Sequence, residues 1–257
     1  MNTVATLLDT PAALQSLRRS VPPRWTRVRG CRTPGALADL LESTLVDAMV
    51  VGTAAYRRDG LAAVRARFPG VPMLLFGAVR PDDARILIEA GRAGSFRAVL
   101  VEGVDDPMAG ELISRHGYLA SRRARLAHLP RLLRLTETLQ LRAFDLLLSA
   151  AGPPPTTEEL ADALGVSREH LSRQFAAGGA PNLKRIIGLL AVITARDLLA
   201  NPGYSTATVA TLLGFGRPSR LRETVGRVAG LSLDELSHPD APDPIRRFLG
   251  TRSRSRG

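Results

Sequence analysis

The feature that most constrains this 257-residue chain is a pair of short amphipathic runs separated by one glycine. The stretch TTEELADALGVSREHLSRQF, at 156–175, places apolar stripes on both sides of Gly165. Each run is too short to be a stable helix in water, so packing must hold the pair together. Thr156 or Thr157 can cap the first run, Gly165 can end it with a positive φ, and Ser167 can cap the second.

The same pattern occurs again in TVATLLGFGRPSRLRETV, at 208–225. The first halves of the two copies align at an offset of 49 residues, and the second halves at 50, so the second turn is one residue longer. Between the copies, LKRIIGLLAVITARDLLA at 183–200 predicts one long helix that stops at Asn201-Pro202-Gly203. One copy alone is compatible with an ordinary helical hairpin. Two copies on one connecting helix favour a pair of helix-turn-helix units.

Residues 156–236 resemble the DNA-binding domain of AraC/XylS-type transcription regulators, which predicts such a domain at 156–240. The resemblance lies in LADALGVSREHLSRQF, then ARDLLA, then VATLLGF, and finally GLSLDEL, in that order along the chain. It implies an all-α domain that binds double-stranded DNA in a sequence-specific way, with the second helix of each unit in the major groove. It also implies RNA polymerase as a further partner to be tested.

The predicted DNA contacts are the polar side chains on the outer face of each second helix. Arginine can hold guanine through two hydrogen bonds, and glutamate can accept one from cytosine. Leu171, Phe175, Leu221 and Val225 are expected to face inward. The candidates are Arg168, Glu169, His170, Ser172, Arg173 and Gln174 in the first unit, and Arg217, Ser219, Arg220, Arg222 and Glu223 in the second.

The charge of the chain agrees with a nucleic-acid partner without establishing one. The formal net charge is +11. Residues 1–116 carry +3 of it and residues 117–257 carry +8. A basic domain suits a polyanion because each neutralised phosphate releases counterions. Almost all of the positive charge is arginine, since Lys184 is the only lysine.

The N-terminal half alternates strand and helix patterns, which predicts an α/β domain with a five-stranded parallel sheet at 1–120. The apolar runs at 48–51 and 73–76 are typical of buried parallel strands. Strands are predicted at 4–8, 25–30, 47–52, 71–77 and 97–103, and helices near 11–20, 34–45, 60–68, 82–93 and 106–116.

This half resembles the receiver domain of response regulators, through DAMVVG, DGLAAVRARFPGVPMLLFGA and ILIEAG. A receiver carries a phosphate-accepting aspartate at the end of its third strand, where this chain has Gly52. Gly77 stands at the position of the hydroxyl residue, and Glu102 or Gly103 at that of the lysine. Asp9 is what remains of the acidic pair. The resemblance therefore implies a receiver-like fold that cannot be phosphorylated and serves as a sensory or dimerisation domain.

Enzymatic activity is not expected. The chain has no G-x-x-x-x-G-K-[ST] loop, no G-x-G-x-x-G after a strand and no G-x-S-x-G elbow. Its four histidines are not spaced as metal ligands, and its single cysteine, Cys31, excludes an internal disulfide. Asp82-Asp83 and Asp105-Asp106 precede helices, so capping explains them. No cofactor and no metal are predicted.

Residues 121–155 are predicted to be a helical join with a proline-rich spacer, and 241–257 a basic disordered tail. One helix is expected over 131–150. Its first apolar face can pack on the DNA-binding domain. Its second face, formed by Leu141, Phe144 and Leu148, can pack inside the chain or form a homodimer, as can the α/β half. No signal peptide or membrane span is expected, which suits a bacterial cytoplasmic regulator. The alternative is a protein-interaction scaffold that binds nucleic acid weakly and nonspecifically.

Overall fold

The structure of the chain is a computed structural model that describes residues 2–24, 26–78, 81, 84–176 and 179–254. The chain divides into two compact units, Met1–Arg122 and Arg123–Gly257. The predicted aspartate pair Asp82-Asp83 lies outside the described residues.

The first unit contains a five-stranded parallel sheet, as the alternating pattern predicts. The strand order is β2-β1-β3-β4-β5. This is the doubly wound order of flavodoxin and of receiver domains, so the receiver-like fold is confirmed. The strands are β1 Asn2–Leu7, β2 Thr26–Gly30, β3 Ala48–Gly52, β4 Met73–Gly77 and β5 Ala98–Val101.

Helices follow the strands of this sheet, and local capping decides where several of them begin. The side chains of Thr10 and Thr33 accept N–H groups from the first turns of α1 and α2, and Pro11 and Pro34 occupy their first positions. β3 and β4 are buried along their whole length, because helices cover both faces. The helices are α1 Pro11–Ser20, α2 Pro34–Ser43, α3 Leu61–Arg67, α4 Ala84–Arg92 and α5 Ala109–His116.

A buried carboxylate caps the next helix, α6 Tyr118–Leu126. Asp47 is 5% exposed, and its Oδ1 accepts the Leu119 N–H at 2.8 Å. Burial raises the pKa of Asp47, and the hydrogen bond from Leu119 opposes that effect. A Cβ on Gly117 would lie 2.4 Å from Asp47 Oδ2, so this close approach requires glycine.

The second unit is helical. Ten residues of the helix Leu183–Leu199 are buried, and so are five residues of the helix Pro218–Ala229. No helix in the described part of the chain is both long and apolar enough to cross a bilayer. The helices of this unit are α7 Leu129–Leu132, α8 Thr138–Ser149, α9 Thr157–Leu164, α10 Arg168–Ala176, α11 Leu183–Leu199, α12 Thr206–Leu212, α13 Pro218–Ala229, α14 Leu233–Ser237 and α15 Pro244–Arg254.

The prediction of one helix over 131–150 is wrong. A turn separates α7 from α8, with Arg134 at a φ of 57° and the Leu135 N–H donating to the Pro130 carbonyl at 2.9 Å. The helix that follows packs on α9, α10 and α11, and it buries Phe144 and Leu148. These two residues are therefore internal packing. Leu141 stays 41% exposed.

The predicted disordered tail at 241–257 is also wrong where the structure describes it, because α15 covers Pro244–Arg254. Phe248 is fully buried, and the Arg185 guanidinium lies 5.0 Å from the centre of its ring. Arg196 donates to the Ala241 carbonyl at 3.2 Å, which fixes the segment before the helix. The helix packs on α11 and α13, so burial of one aromatic side chain orders a segment that is basic in composition.

Candidate nucleic-acid interface

The first helix-turn-helix unit consists of α9 and α10, and reciprocal caps hold its first helix. Thr156 Oγ1 accepts the Glu159 N–H at 3.2 Å, and Glu159 Oε2 accepts the Thr156 N–H at 2.7 Å. Gly165 ends the helix at a φ of 69°, in the left-handed region that favours glycine. The Ser167 hydroxyl oxygen then accepts the His170 N–H at 3.1 Å and starts the second helix.

The turn of the second unit repeats the hydrogen bonds of the first at the same offset in sequence. In the first unit the Val166 N–H donates to the Ala161 carbonyl at 3.0 Å. In the second the Phe215 N–H donates to the Ala210 carbonyl at 2.8 Å. This is the bond that closes a Schellman turn. Gly214 has a φ of 75°, close to the 69° of Gly165. The two turns therefore share their hydrogen bond and their glycine conformation, so the sequence repeat is also a structural repeat.

Each second helix is anchored by the apolar pair that the sequence assigns to its inner face. Leu171 and Phe175 on α10 are fully buried, as are Leu221 and Val225 on α13. The inward orientation of these four residues is therefore confirmed. The opposite faces of the same helices remain available for a ligand.

Most of the predicted DNA contacts lie on those opposite faces. Gln174 and Ser219 are half-buried. The Arg168 Nε lies 3.4 Å from Glu169 Oε1, so this arginine already has a carboxylate partner within its own helix. The exposed candidates are Arg168, Glu169, His170, Ser172 and Arg173 in α10, and Arg217, Arg220, Arg222 and Glu223 in or beside α13.

A polar residue outside the predicted set positions the first recognition helix. Gln140 of α8 is 1% exposed, and its Nε2 donates to the Gln174 carbonyl at 2.7 Å. Its Oε1 accepts the Thr136 and Glu137 N–H groups at 3.0 and 3.2 Å. This side chain therefore ties α10 to the start of α8. The local signal was the acidic residue three positions before a glutamine, as in a capping box.

The long helix α11 is the common support of this domain. Seventeen residues give it a length of about 26 Å. Ten of them are buried, including Ile186, Leu190 and Val192. It contacts α8, α12, α13, α14 and α15, and α8 in turn contacts α9 and α10. One apolar core thus supports both helix-turn-helix units. The second helix of each unit, α10 or α13, exposes a basic face.

The carboxyl end of the parallel sheet is where a receiver would carry its phosphorylation site. A Cβ on Gly52 would lie 2.3 Å from Asp9 Oδ2, so the Asp9 carboxylate fills the space beside this glycine. Asp9 Oδ1 accepts the Ala55 N–H at 2.6 Å, and Oδ2 accepts the Ala54 N–H at 3.1 Å. The Arg58 guanidinium lies 3.8 Å from the same carboxylate. The Asp9 carboxylate therefore caps the turn after β3.

The other positions at this edge are also occupied by structural contacts. A Cβ on Gly77 would lie 3.1 Å from Thr53 Oγ1. Asp105 Oδ2 accepts the Val101 N–H at 2.7 Å, and Asp106 accepts from Gly103 and from the Ser16 hydroxyl. These two aspartates close the turn after β5, a role in the loop and not the helix capping that was predicted. The Ser16 hydrogen bond lowers the pKa of Asp106, with help from Gly103.

This edge does not fit the magnesium ion that receiver chemistry uses. Such an ion takes several oxygen ligands, including one or two carboxylates. At the ends of β1 and β3 the carboxylate present is that of Asp9, and both of its oxygens already accept backbone N–H groups. Within the described ranges no three histidine, cysteine, aspartate or glutamate residues are grouped to hold a metal ion.

Comparison with known proteins identifies the helical half. Residues 160–238 match the model of a helix-turn-helix domain, of the AraC type. No curated protein matches the chain. A solved structure that resembles it is full-length FixJ from B. japonicum, with 16% sequence identity and a TM-score of 0.38 over 74% of this chain and 95% of that chain.

The chain thus carries an AraC-type helix-turn-helix domain after a receiver-like α/β domain. A domain of this type indicates a DNA-binding regulator. The match ends at residue 238, so α15 lies beyond it.

Proposed function

We propose that this protein is a sequence-specific transcription regulator that reads DNA with α10 and α13, while its α/β domain acts without phosphorylation. The observation that carries the proposal is the repeated Schellman turn, which presents two helices with buried apolar anchors and exposed polar faces. Because α11 supports both units, the two helices would enter successive major-groove segments about 34 Å apart. A single chain would then cover an asymmetric site of under two turns.

Exposed arginines on α10 are the residues that we propose to read bases. Arg168→Ala or Arg173→Ala should weaken binding to the preferred site by about 1–3 kcal/mol and relax the preference at one base pair. The reason is that a bidentate arginine–guanine contact is lost with nothing to replace it. The measurement is selection of duplexes from a random library by each variant, followed by titration of the selected site.

Arg142→Ala is the matched control, because this exposed arginine lies on α8, outside both recognition helices. It should keep both the selected motif and the affinity. If both α10 variants keep the wild-type motif and lose affinity for all sequences alike, the first unit only clamps phosphates. If the wild type selects no motif, the regulator proposal fails and a scaffold with nonspecific nucleic-acid binding takes its place.

We propose that the α/β domain does not accept a phosphoryl group. Incubation with acetyl phosphate and magnesium should leave the intact mass unchanged. Restoring an aspartate by Gly52→Asp should not create a phosphorylation site. Instead it should lower the free energy of unfolding by about 1–3 kcal/mol, because the new side chain overpacks against Asp9.

Gly35→Asp is the control for this substitution, since the nearest atom to a Cβ there is Thr33 Oγ1 at 3.9 Å. Gly35 is exposed in the first turn of α2, and stability should change by less than about 0.5 kcal/mol. An acid-labile adduct on the wild-type chain would refute the proposal. A Gly52→Asp variant that is as stable as the wild type and forms the adduct would instead show that Asp9 does not block this position.

Regulation would then come through a ligand, a partner or self-association. Homodimerisation and contact with RNA polymerase remain proposals. Of the apolar residues at 131–150, Leu132 and Leu141 are exposed in the structure, at 43% and 41%. A monomer in sedimentation equilibrium at high concentration would exclude the homodimer. Because its target is DNA, we propose the cytoplasm of a bacterium as its location.

A further inference from the structure

A cavity of about 340 Å³ opens at the amino end of the parallel sheet, opposite the edge that Asp9 closes. It lies where β3, β4 and β5 begin and where α3 and α4 end. Its volume is within the range of small-molecule sites, which begins near 300 Å³. Its lining includes Arg65, Phe68, Met73, Ser95, Phe96 and Arg97.

The lining is positively charged. Arg65 and Arg97 both contribute to it, and among the described residues no aspartate or glutamate does. Neither arginine forms an ion pair with any residue that the structure describes. The two helices that end here contribute a partial charge of about −0.5 each, which is less than the two guanidinium charges. The net charge around the cavity is therefore positive, which favours an anionic ligand.

The remaining lining supplies a hydroxyl group and apolar walls. The Ser95 hydroxyl makes no hydrogen bond to any described residue. Phe68 is fully buried and Phe96 half-buried. The Val71 N–H donates to the Phe68 carbonyl and the Arg97 N–H to the Met73 carbonyl. These two backbone donors are used within the fold, so the arginine and serine side chains supply the main contacts to a ligand.

We propose that this cavity binds a small organic anion, with Arg65 and Arg97 on its carboxylate or phosphate group and Ser95 as an additional donor. Charge-assisted hydrogen bonds from arginine are the strongest contacts available for these groups. Strands β3–β5 and the loops around the cavity would then form a ligand-sensing site in a domain whose opposite edge is closed by Asp9. This inference does not depend on DNA binding.

The experiment titrates the full chain with inorganic phosphate, succinate and the uncharged analogue succinamide at constant ionic strength. Binding is followed by calorimetry and by backbone amide chemical shifts. We expect saturable binding of phosphate or succinate and none of succinamide, with shifts at Phe68–Val71 and Gly94–Arg97. The first two probes distinguish a phosphate ligand from a carboxylate ligand.

The variant Arg65→Gln/Arg97→Gln should weaken that binding by about tenfold or more. Arg85→Gln/Arg92→Gln removes the same charge from α4, whose two arginines are exposed and outside the cavity lining, and it should bind as the wild type does. Binding of neither anion, equal weakening in both variants, or shifts elsewhere in the wild type would each overturn the proposal. The chemical-shift changes of the wild-type protein still test the proposal if the Arg65→Gln/Arg97→Gln variant does not fold.

Discussion

Phe175→Ala should lower the free energy of unfolding of the helical unit by about 3–5 kcal/mol, the largest loss that we expect from one substitution. Phe175 is fully buried on α10 and anchors the first recognition helix. Its removal leaves a cavity at a point where α10 packs on both α8 and α9. Urea unfolding of the full chain, followed by circular dichroism at 222 nm, measures this loss.

Arg173→Ala is the matched control, because Arg173 lies on the exposed face of the same helix two positions before Phe175. Its stability should stay within about 0.5 kcal/mol of the wild type. The two variants separate folding from recognition. At a temperature where Phe175→Ala is still folded, it should select the wild-type motif, whereas Arg173→Ala should select a relaxed one. A Phe175→Ala variant as stable as the wild type would show that α10 is not held by this anchor.

Gly214→Ala should destabilise the protein by about 2–5 kcal/mol, far more than Gly165→Ala at the matching position of the first repeat. Both glycines have positive φ, at 75° and 69°, so alanine costs about 1–2 kcal/mol at each through strain in the backbone. At Gly165 no atom lies within 4 Å of the new Cβ. At Gly214 the Cβ of Pro153 would lie 2.9 Å away, which adds an overpacking cost of about 1–3 kcal/mol.

A double-mutant cycle with Pro153→Gly tests the cause of that difference. If contact with Pro153 is the reason, Gly214→Ala should cost about as little in the Pro153→Gly background as Gly165→Ala does in the wild type. Thermal unfolding of the four proteins of the cycle, with Gly165→Ala beside them, gives the coupling. Equal costs for the two glycine variants in the wild-type background would mean that the Pro153 contact does not form in solution.

The repeat and the parallel sheet could be predicted because local signals specify them. Thr156, Gly165 and Ser167 act on groups within a few residues, and they cap and end the helices as the sequence indicates. The apolar spacing that places Phe175 inward is likewise a property of one helix. In the α/β half, alternating patterns bounded by proline and glycine predicted all five strands.

The errors arose where a local pattern was compatible with more than one packing. The leucines at 131–150 allow a continuous helix, but the chain turns at Arg134. Of the predicted second face, α8 buries Phe144 and Leu148 and leaves Leu141 exposed. At 241–257 basic residues dominate, and composition alone favours disorder. The segment is nevertheless helical, because α15 packs on α11 and α13 and buries Phe248.

The sequence by itself determined the five strands, the two helix-turn-helix units, and the inner and outer faces of the recognition helices, since periodicity and capping act over a few residues. Only the tertiary structure decided that Asp9 fills the space beside Gly52, 43 residues away, and that Gln140 holds the backbone of Gln174 on α10. It alone places Arg65 and Arg97 around one cavity. Such contacts join residues far apart in the chain, and their geometry follows from how helices and strands pack, which no local pattern records.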